Sequence, residues 1–242
     1  MADGRRPPDA ALLVFCALGV ERWALRDGLR AATRRAAPAP AGDPPPAPVR
    51  VVRSGMGPRA AERAVRRALA TAAATAATAG GAGPPDPPGP AVAAAGFCAG
   101  LVPGMRPGDV VVAEETRAPG GRTRCPDAAR LAEVLAARLD GRGTVHLGPL
   151  AGSDRVVRGG ARRAALHRGG AVAVDMESAV TLLTAGHAGG RPVAAVRVVV
   201  DAPGYELLRF GTLRSGISAF RALRSVIPAV QEWRYSQQLP RR

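Results

Sequence analysis

Three short stretches place acidic side chains where a buried strand is expected to stop. In Val174-Asp175-Met176-Glu177-Ser178-Ala179, two carboxylates stand where an apolar run gives way to a helical one. In Val196-Arg197-Val198-Val199-Val200-Asp201-Ala202-Pro203, an aspartate follows an apolar run that has an arginine inside it. Ala17-Leu18-Gly19-Val20-Glu21 supplies a third acid after the first apolar run. Open α/β sheets take their ligands at such strand ends, and a carboxylate there is costly to desolvate unless it contacts something. Each also has a structural reading. Asp175, Glu177 and Glu21 suit the positive N-terminal end of a helix, and Arg197 with Asp201 suits a buried ion pair. Spacing alone leaves both open.

Two glycine-rich turns add weaker signals, Ser54-Gly55-Met56-Gly57 and Gly96-Phe97-Cys98-Ala99-Gly100-Leu101. Backbone amides in such turns can cradle anions or hydroxyls, but neither is a phosphate-binding P-loop nor a GxGxxG fingerprint. The three cysteines, Cys16, Cys98 and Cys125, lie far apart and suggest no disulfide framework. With His146, His167 and His187 they form no metal-ligand spacing, so no metal and no cofactor are expected.

The elements that must position these residues follow from periodicity. Valine-rich apolar runs over 11–18, 49–55, 91–97, 109–115, 144–150, 171–176 and 192–200 read as strands. Alanine- and arginine-rich segments over 21–35, 58–77, 126–139, 177–187 and 206–232 read as helices. Near-continuous apolar strands alternating with helices predict an α/β domain with a mostly parallel mixed sheet covered by helices on both faces. The 242 residues suit one such domain, and we expect 1–242 to be a single catalytic unit. Proline- and glycine-rich stretches at 37–48 and 78–90 cannot build a core and are expected to be surface loops.

With aromatics at 3% of a chain that is 47% hydrophobic, the core must be built from Ala, Val and Leu. No apolar run approaches the roughly 18 residues of a membrane span, and the N-terminus lacks a signal-peptide pattern, so a cytoplasmic location is expected. A net charge of +15 invites nucleic acid or an anionic membrane as partner. All the basic residues are arginines, however, and they are scattered without interleaved aromatics, as in a composition shaped by GC-rich codons. No nucleic-acid partner is expected; weak peripheral contact with an anionic membrane needs only the charge.

Taken in order, ALGVE (17–21), SGMG (54–57), GFCAGLVPGMRPGDVVVAEE (96–115), SDRVV (153–157), VDMESAV (174–180) and VRVVVDAP (196–203) resemble the nucleoside phosphorylase and nucleosidase superfamily. Within it the pattern is most similar to methylthioadenosine/S-adenosylhomocysteine nucleosidases, and the hopanoid-associated phosphorylases, which act on adenosylhopane, are a plausible subgroup. VDMESA followed by R-x-x-x-D is the specific part.

The resemblance implies cleavage of the N-glycosidic bond of a purine nucleoside, by a homodimer or larger homo-oligomer. It implies that Glu177 bonds the ribose 2′-hydroxyl, that Met176 packs on the sugar, and that Asp201 binds the purine N6/N7 edge and protonates N7. It further implies that Glu21 activates the attacking water, that the backbone of Val156 and Val157 pairs with the base, and that Phe97 and Cys98 approach the ribose or nucleophile. Arg197 and Asp175 would support or line the site. An acid that gives a proton to N7 is expected to have its pKa raised by burial.

Two departures stand out. Val200 precedes Asp201 where many relatives have Ser. Phe97 and Ala94 stand where phosphorolytic relatives often have Ser and Arg. Without that pair phosphate loses charge-assisted bonds, which favours water over phosphate as nucleophile, with Arg22 and Arg59 as candidate replacement cations. A phosphorylase using phosphate as co-substrate, and a non-catalytic purine-nucleoside binder, are the alternatives.

Overall fold

The computed structural model describes residues 12–35, 48–78, 89–203 and 212–236. The chain runs β1 (Leu12–Cys16), α1 (Gly19–Arg35), β2 (Val49–Arg53), α2 (Pro58–Thr78), β3 (Ala91–Gly100), β4 (Val110–Ala118), β5 (Gly121–Arg124), α3 (Ala128–Leu139), β6 (Val145–Gly152), α4 (Gly160–Arg168), β7 (Ala173–Asp175), α5 (Ser178–His187), β8 (Val193–Asp201), α6 (Thr212–Arg224) and α7 (Val226–Ser236). The seven expected strands are all present. The helix expected over 206–232 is instead two, α6 and α7, and residues 206–211 lie outside those described. The loop expectations at 37–48 and 78–90 also fall almost wholly outside the described residues.

The strands form one mixed sheet, β2-β1-β3-β7-β6-β4-β5, with β8 pairing both β3 and β4. Because β8 joins β3 to β4 while β7 and β6 join them on the other side, strands β3, β8, β4, β6 and β7 close a ring. The pairings β1–β2, β1–β3, β3–β8, β4–β6 and β6–β7 are parallel; β3–β7, β4–β8 and the hairpin β4–β5 are antiparallel. Strands of Leu-Leu-Val-Phe-Cys type, buried at every position, are what a sheet covered on both faces requires. The core is aliphatic, with Phe15 and Trp233 its fully buried aromatics among the described residues.

Two elements were not anticipated from the sequence. β5, Gly-Arg-Thr-Arg, is a charged edge strand with alternating exposure, stitched to β4 by a tight turn. α4 carries no buried residue at all, so it leaves no apolar stripe for periodicity to find.

One feature of β3 organises the rest. On one side it pairs with β8 along almost its whole length. On the other, β1 covers Ala91–Ala94 and β7 covers only Ala99 and Gly100. The β3 edge between them has no strand partner on that side. Chains diverge there, as at the switch points where α/β sheets bind ligands.

Candidate functional site

Glu21 fills that gap. It sits in the first turn of α1, 2% exposed, and its Oε1 accepts the Phe97 N–H at 2.7 Å. Its Oε2 accepts the N–H groups of Ala17 and Leu18, both at 2.8 Å. The carboxylate therefore stands in for the missing strand and satisfies a buried amide that would otherwise be orphaned. A carboxylate offers about four lone-pair positions; three are taken, which leaves one on Oε1.

Arg197 lies beside it in β8, 1% exposed. Its Nε donates to Ser178 Oγ at 2.7 Å and its Nη2 stands 2.6 Å from Asp175 Oδ2. Gly96 is what lets Glu21 and Arg197 converge. A Cβ there would lie 2.5 Å from Arg197 Nη1 and 2.5 Å from Glu21 Oε1, so those two atoms are at most twice that, 5 Å, apart. Burial alone would pull the Arg197 guanidinium's pKa down; the carboxylates of Asp175, Glu177 and Glu21 more than offset this and hold it up. An arginine buried in a strand is tolerable only with such company.

The two acids of VDMES part ways. Asp175 takes the structural reading: it accepts the Ser178 N–H at 3.0 Å at the start of α5 and pairs with Arg197. Its Oδ2 positions the arginine, while its buried Oδ1 has no hydrogen-bond partner among the described residues. Glu177 makes no capping bond to its own helix. Its Oε1 instead accepts the Gly57 N–H at 2.7 Å, across 120 residues of sequence. Burial pushes its carboxyl above the ordinary range; Arg197 opposes this and Asp175 adds to it.

Asp201 ends β8, opposite Ala99 of β3, while Val174 of β7 faces Ala99 from the other side. Its partner is Arg163, not Arg197. Arg163 Nη2 lies 2.5 Å from Oδ2 and Nη1 lies 3.1 Å from Oδ1, a bidentate pair. The same Nη2 is 3.4 Å from the Val157 carbonyl. The Arg197–Asp201 pair that the sequence left open is not formed; the pairs are Arg197–Asp175 and Arg163–Asp201. In the sequence Arg163 looks like one more scattered surface arginine, because α4, which carries it, has no apolar pattern.

Of the other expected residues, Met176 is half-buried and lines a cavity of about 420 Å³ together with Pro58, Val157, Arg162, Leu166 and Val180. Val157 is buried and Val156 exposed. Phe97 contributes its amide to Glu21. The Cys98 side chain is buried, and burial pushes its thiol up, as it pushes Cys16 up to about 12. Both remain thiols at neutral pH and are no nucleophiles.

Fold and site together define an α/β enzyme with a polar centre at the end of β3, built from Glu21, Arg197, Asp175 and Glu177. The family model of the phosphorylase superfamily matches residues 46–212, and the chain belongs to that superfamily. It is an enzyme of the glycosyl hydrolase or nucleoside phosphorylase type. No curated protein sequence matches it.

Among solved structures, it is similar to the 5′-methylthioadenosine/S-adenosylhomocysteine nucleosidase of Neisseria meningitidis in complex with methylthio-immucillin-A. That match has 19% identity and a TM-score of 0.67, covering 92% of this chain and 99% of that one. It is similar to the S-adenosylhomocysteine nucleosidase of Streptococcus pyogenes in complex with 5-methylthiotubericidin, with 16% identity and a TM-score of 0.62, covering 98% and 100%. The futalosine hydrolase of Helicobacter pylori matches with 14% identity and a TM-score of 0.62, covering 95% and 98%. No described helix is long and apolar enough to cross a membrane.

Proposed function

We propose that this enzyme releases adenine from a 5′-substituted adenosine by attack of water at C1′. The observation that carries the reading is the convergence of Glu21 and Glu177 on one buried arginine, with Asp201 closing the same strand end. In the reaction, the C1′–N9 bond breaks with its electron pair going to the base. Asp201, in its acid form and no longer paired with Arg163, delivers its proton to N7, so that adenine leaves neutral. Glu177 accepts a hydrogen bond from the ribose 2′-hydroxyl and stabilises the positive charge that develops on the sugar. Glu21 takes the proton of the attacking water through the remaining lone pair on Oε1, on a different face from Asp201, as acid and base are divided in inverting glycosidases.

Water is favoured over phosphate by charge. A phosphate next to Glu21 would meet the carboxylates of Asp175 and Glu177 as well, with the Nε and Nη2 of Arg197 already committed to Ser178 and Asp175 and only its Nη1 left to offset them. The names of the structural neighbours, nucleosidases and a hydrolase, support the same choice. The 5′ substituent we propose is apolar, with adenosylhopane as one candidate, since Met176, Val157, Leu166 and Val180 offer an aliphatic wall.

The test is incubation with a panel of adenosine derivatives, with and without phosphate, and chromatography of the products. Free adenine with free ribose derivative is expected, at a rate indifferent to phosphate. Ribose 1-phosphate as product assigns phosphorolysis instead, and binding without turnover assigns a nucleoside binder. Asp201→Asn is expected to nearly abolish release while leaving the fold intact.

A further inference from the structure

The Arg163 guanidinium engages the Asp201 carboxylate, which the proposed function gives to the base, and the Val157 carbonyl, whose backbone the family resemblance gives to it. Two parallel N–H donors on one carboxylate are also what the N6 amino group and a protonated N7 of adenine would present. Arg163 thus sits where the base edge belongs.

The element that carries it is built to move. α4 buries none of its residues. It is bounded by Gly159-Gly160 and Gly169-Gly170, in which Gly159 and Gly170 have φ of 82° and 84°. Arg162 and Leu166 of the same helix line the cavity that holds Met176. Leu166, partly buried against the cluster that includes Leu101, Val157 and Val174, is its apolar anchor, and a helix held by so little apolar contact and a few polar ones opens at low cost.

We propose that Arg163 is a latch on the base subsite: its ion pair with Asp201 holds α4 against the site, and an incoming purine base takes the arginine's place. This rests on the reading of Asp201 as the base-binding carboxylate. While the pair is formed the subsite is not competent, so apparent affinity for the base is reduced by the fraction of molecules with the latch open.

The test compares the wild-type chain with Arg163→Ala and Arg163→Lys, using amide hydrogen exchange without ligand and calorimetric titration with adenine. In Arg163→Ala, residues 160–168 should exchange faster while the sheet stays protected. Adenine should bind about tenfold more tightly, the gain for a latch closed about nine-tenths of the time; Arg163→Lys should fall between. An α4 that stays protected in Arg163→Ala overturns the latch whatever the enzyme does with substrate. A loosened α4 with weaker adenine binding also overturns it and makes Arg163 a support for Asp201. A loosened α4 in a protein that binds adenine in neither form overturns the base-subsite reading and the latch with it.

Discussion

The Glu21 carboxylate accepts the Phe97 N–H at 2.7 Å where β3 has lost β1 and not yet gained β7. One side chain thus completes the backbone of the sheet and supplies the proposed base. In Glu21→Gln the amide nitrogen must face at least one N–H donor, leaving it unpaired at a cost of about 1–3 kcal/mol. Base release should fall about 100-fold or more. Denaturant unfolding beside an adenine-release assay checks both; a Gln variant with wild-type turnover restricts Glu21 to the structural role.

Gly96 should accept no side chain. A Cβ there lies 2.5 Å from both Arg197 Nη1 and Glu21 Oε1, and both of those groups are buried. Gly96→Ala is expected to cost about 1–3 kcal/mol by overpacking and to displace Glu21, so that activity falls further than stability explains. Gly186→Ala is the control: within α5 a Cβ meets nothing within 4 Å, and a gain of about 0.5–1 kcal/mol is expected from helix propensity. Melting curves and turnover of the two variants make the comparison.

Removing Arg197 should be worse than removing its whole network. Arg197→Met leaves Asp175 charged and buried, 2% exposed, with its guanidinium gone. The expected loss is about 3–5 kcal/mol. The double variant Arg197→Met with Asp175→Asn should recover part of it, since the uncompensated charge goes too. A double variant whose loss equals the sum of the losses of Arg197→Met and Asp175→Asn would show that the pair does not couple.

Glu177 predicts a pH dependence of defined sign. Burial raises its carboxyl above the value it has in the unfolded chain. Its contribution to stability is therefore fully present below the unfolded value of 4.5 and lost as pH rises through the folded one. Glu177→Gln should melt higher than wild type at neutral pH, and the difference should vanish below about pH 4.5. Wild-type kcat should carry an acid limb above the ordinary carboxylate range, because Glu177 must be ionised to stabilise the sugar cation. A flat profile from pH 4 to 7 (about the window of a raised carboxyl) would remove Glu177 from that role.

Seven of the eight described strands, most helices and the three acidic strand ends were legible in the sequence. Continuous valine runs are readable because a strand buried on both faces needs apolar residues at every position. The acids at 21, 177 and 201 are readable because charge at the end of such a run is conspicuous. Tertiary structure decided which charge meets which. Arg197 and Asp201 lie four residues apart on one strand, yet β7 brings Asp175 to the arginine and α4 brings Arg163 to the aspartate. Nothing in local periodicity marks α4, which buries no side chain, or the β3 edge that Glu21 completes. Both depend on contacts between segments remote in the chain, and these exist only once the ring of strands has closed.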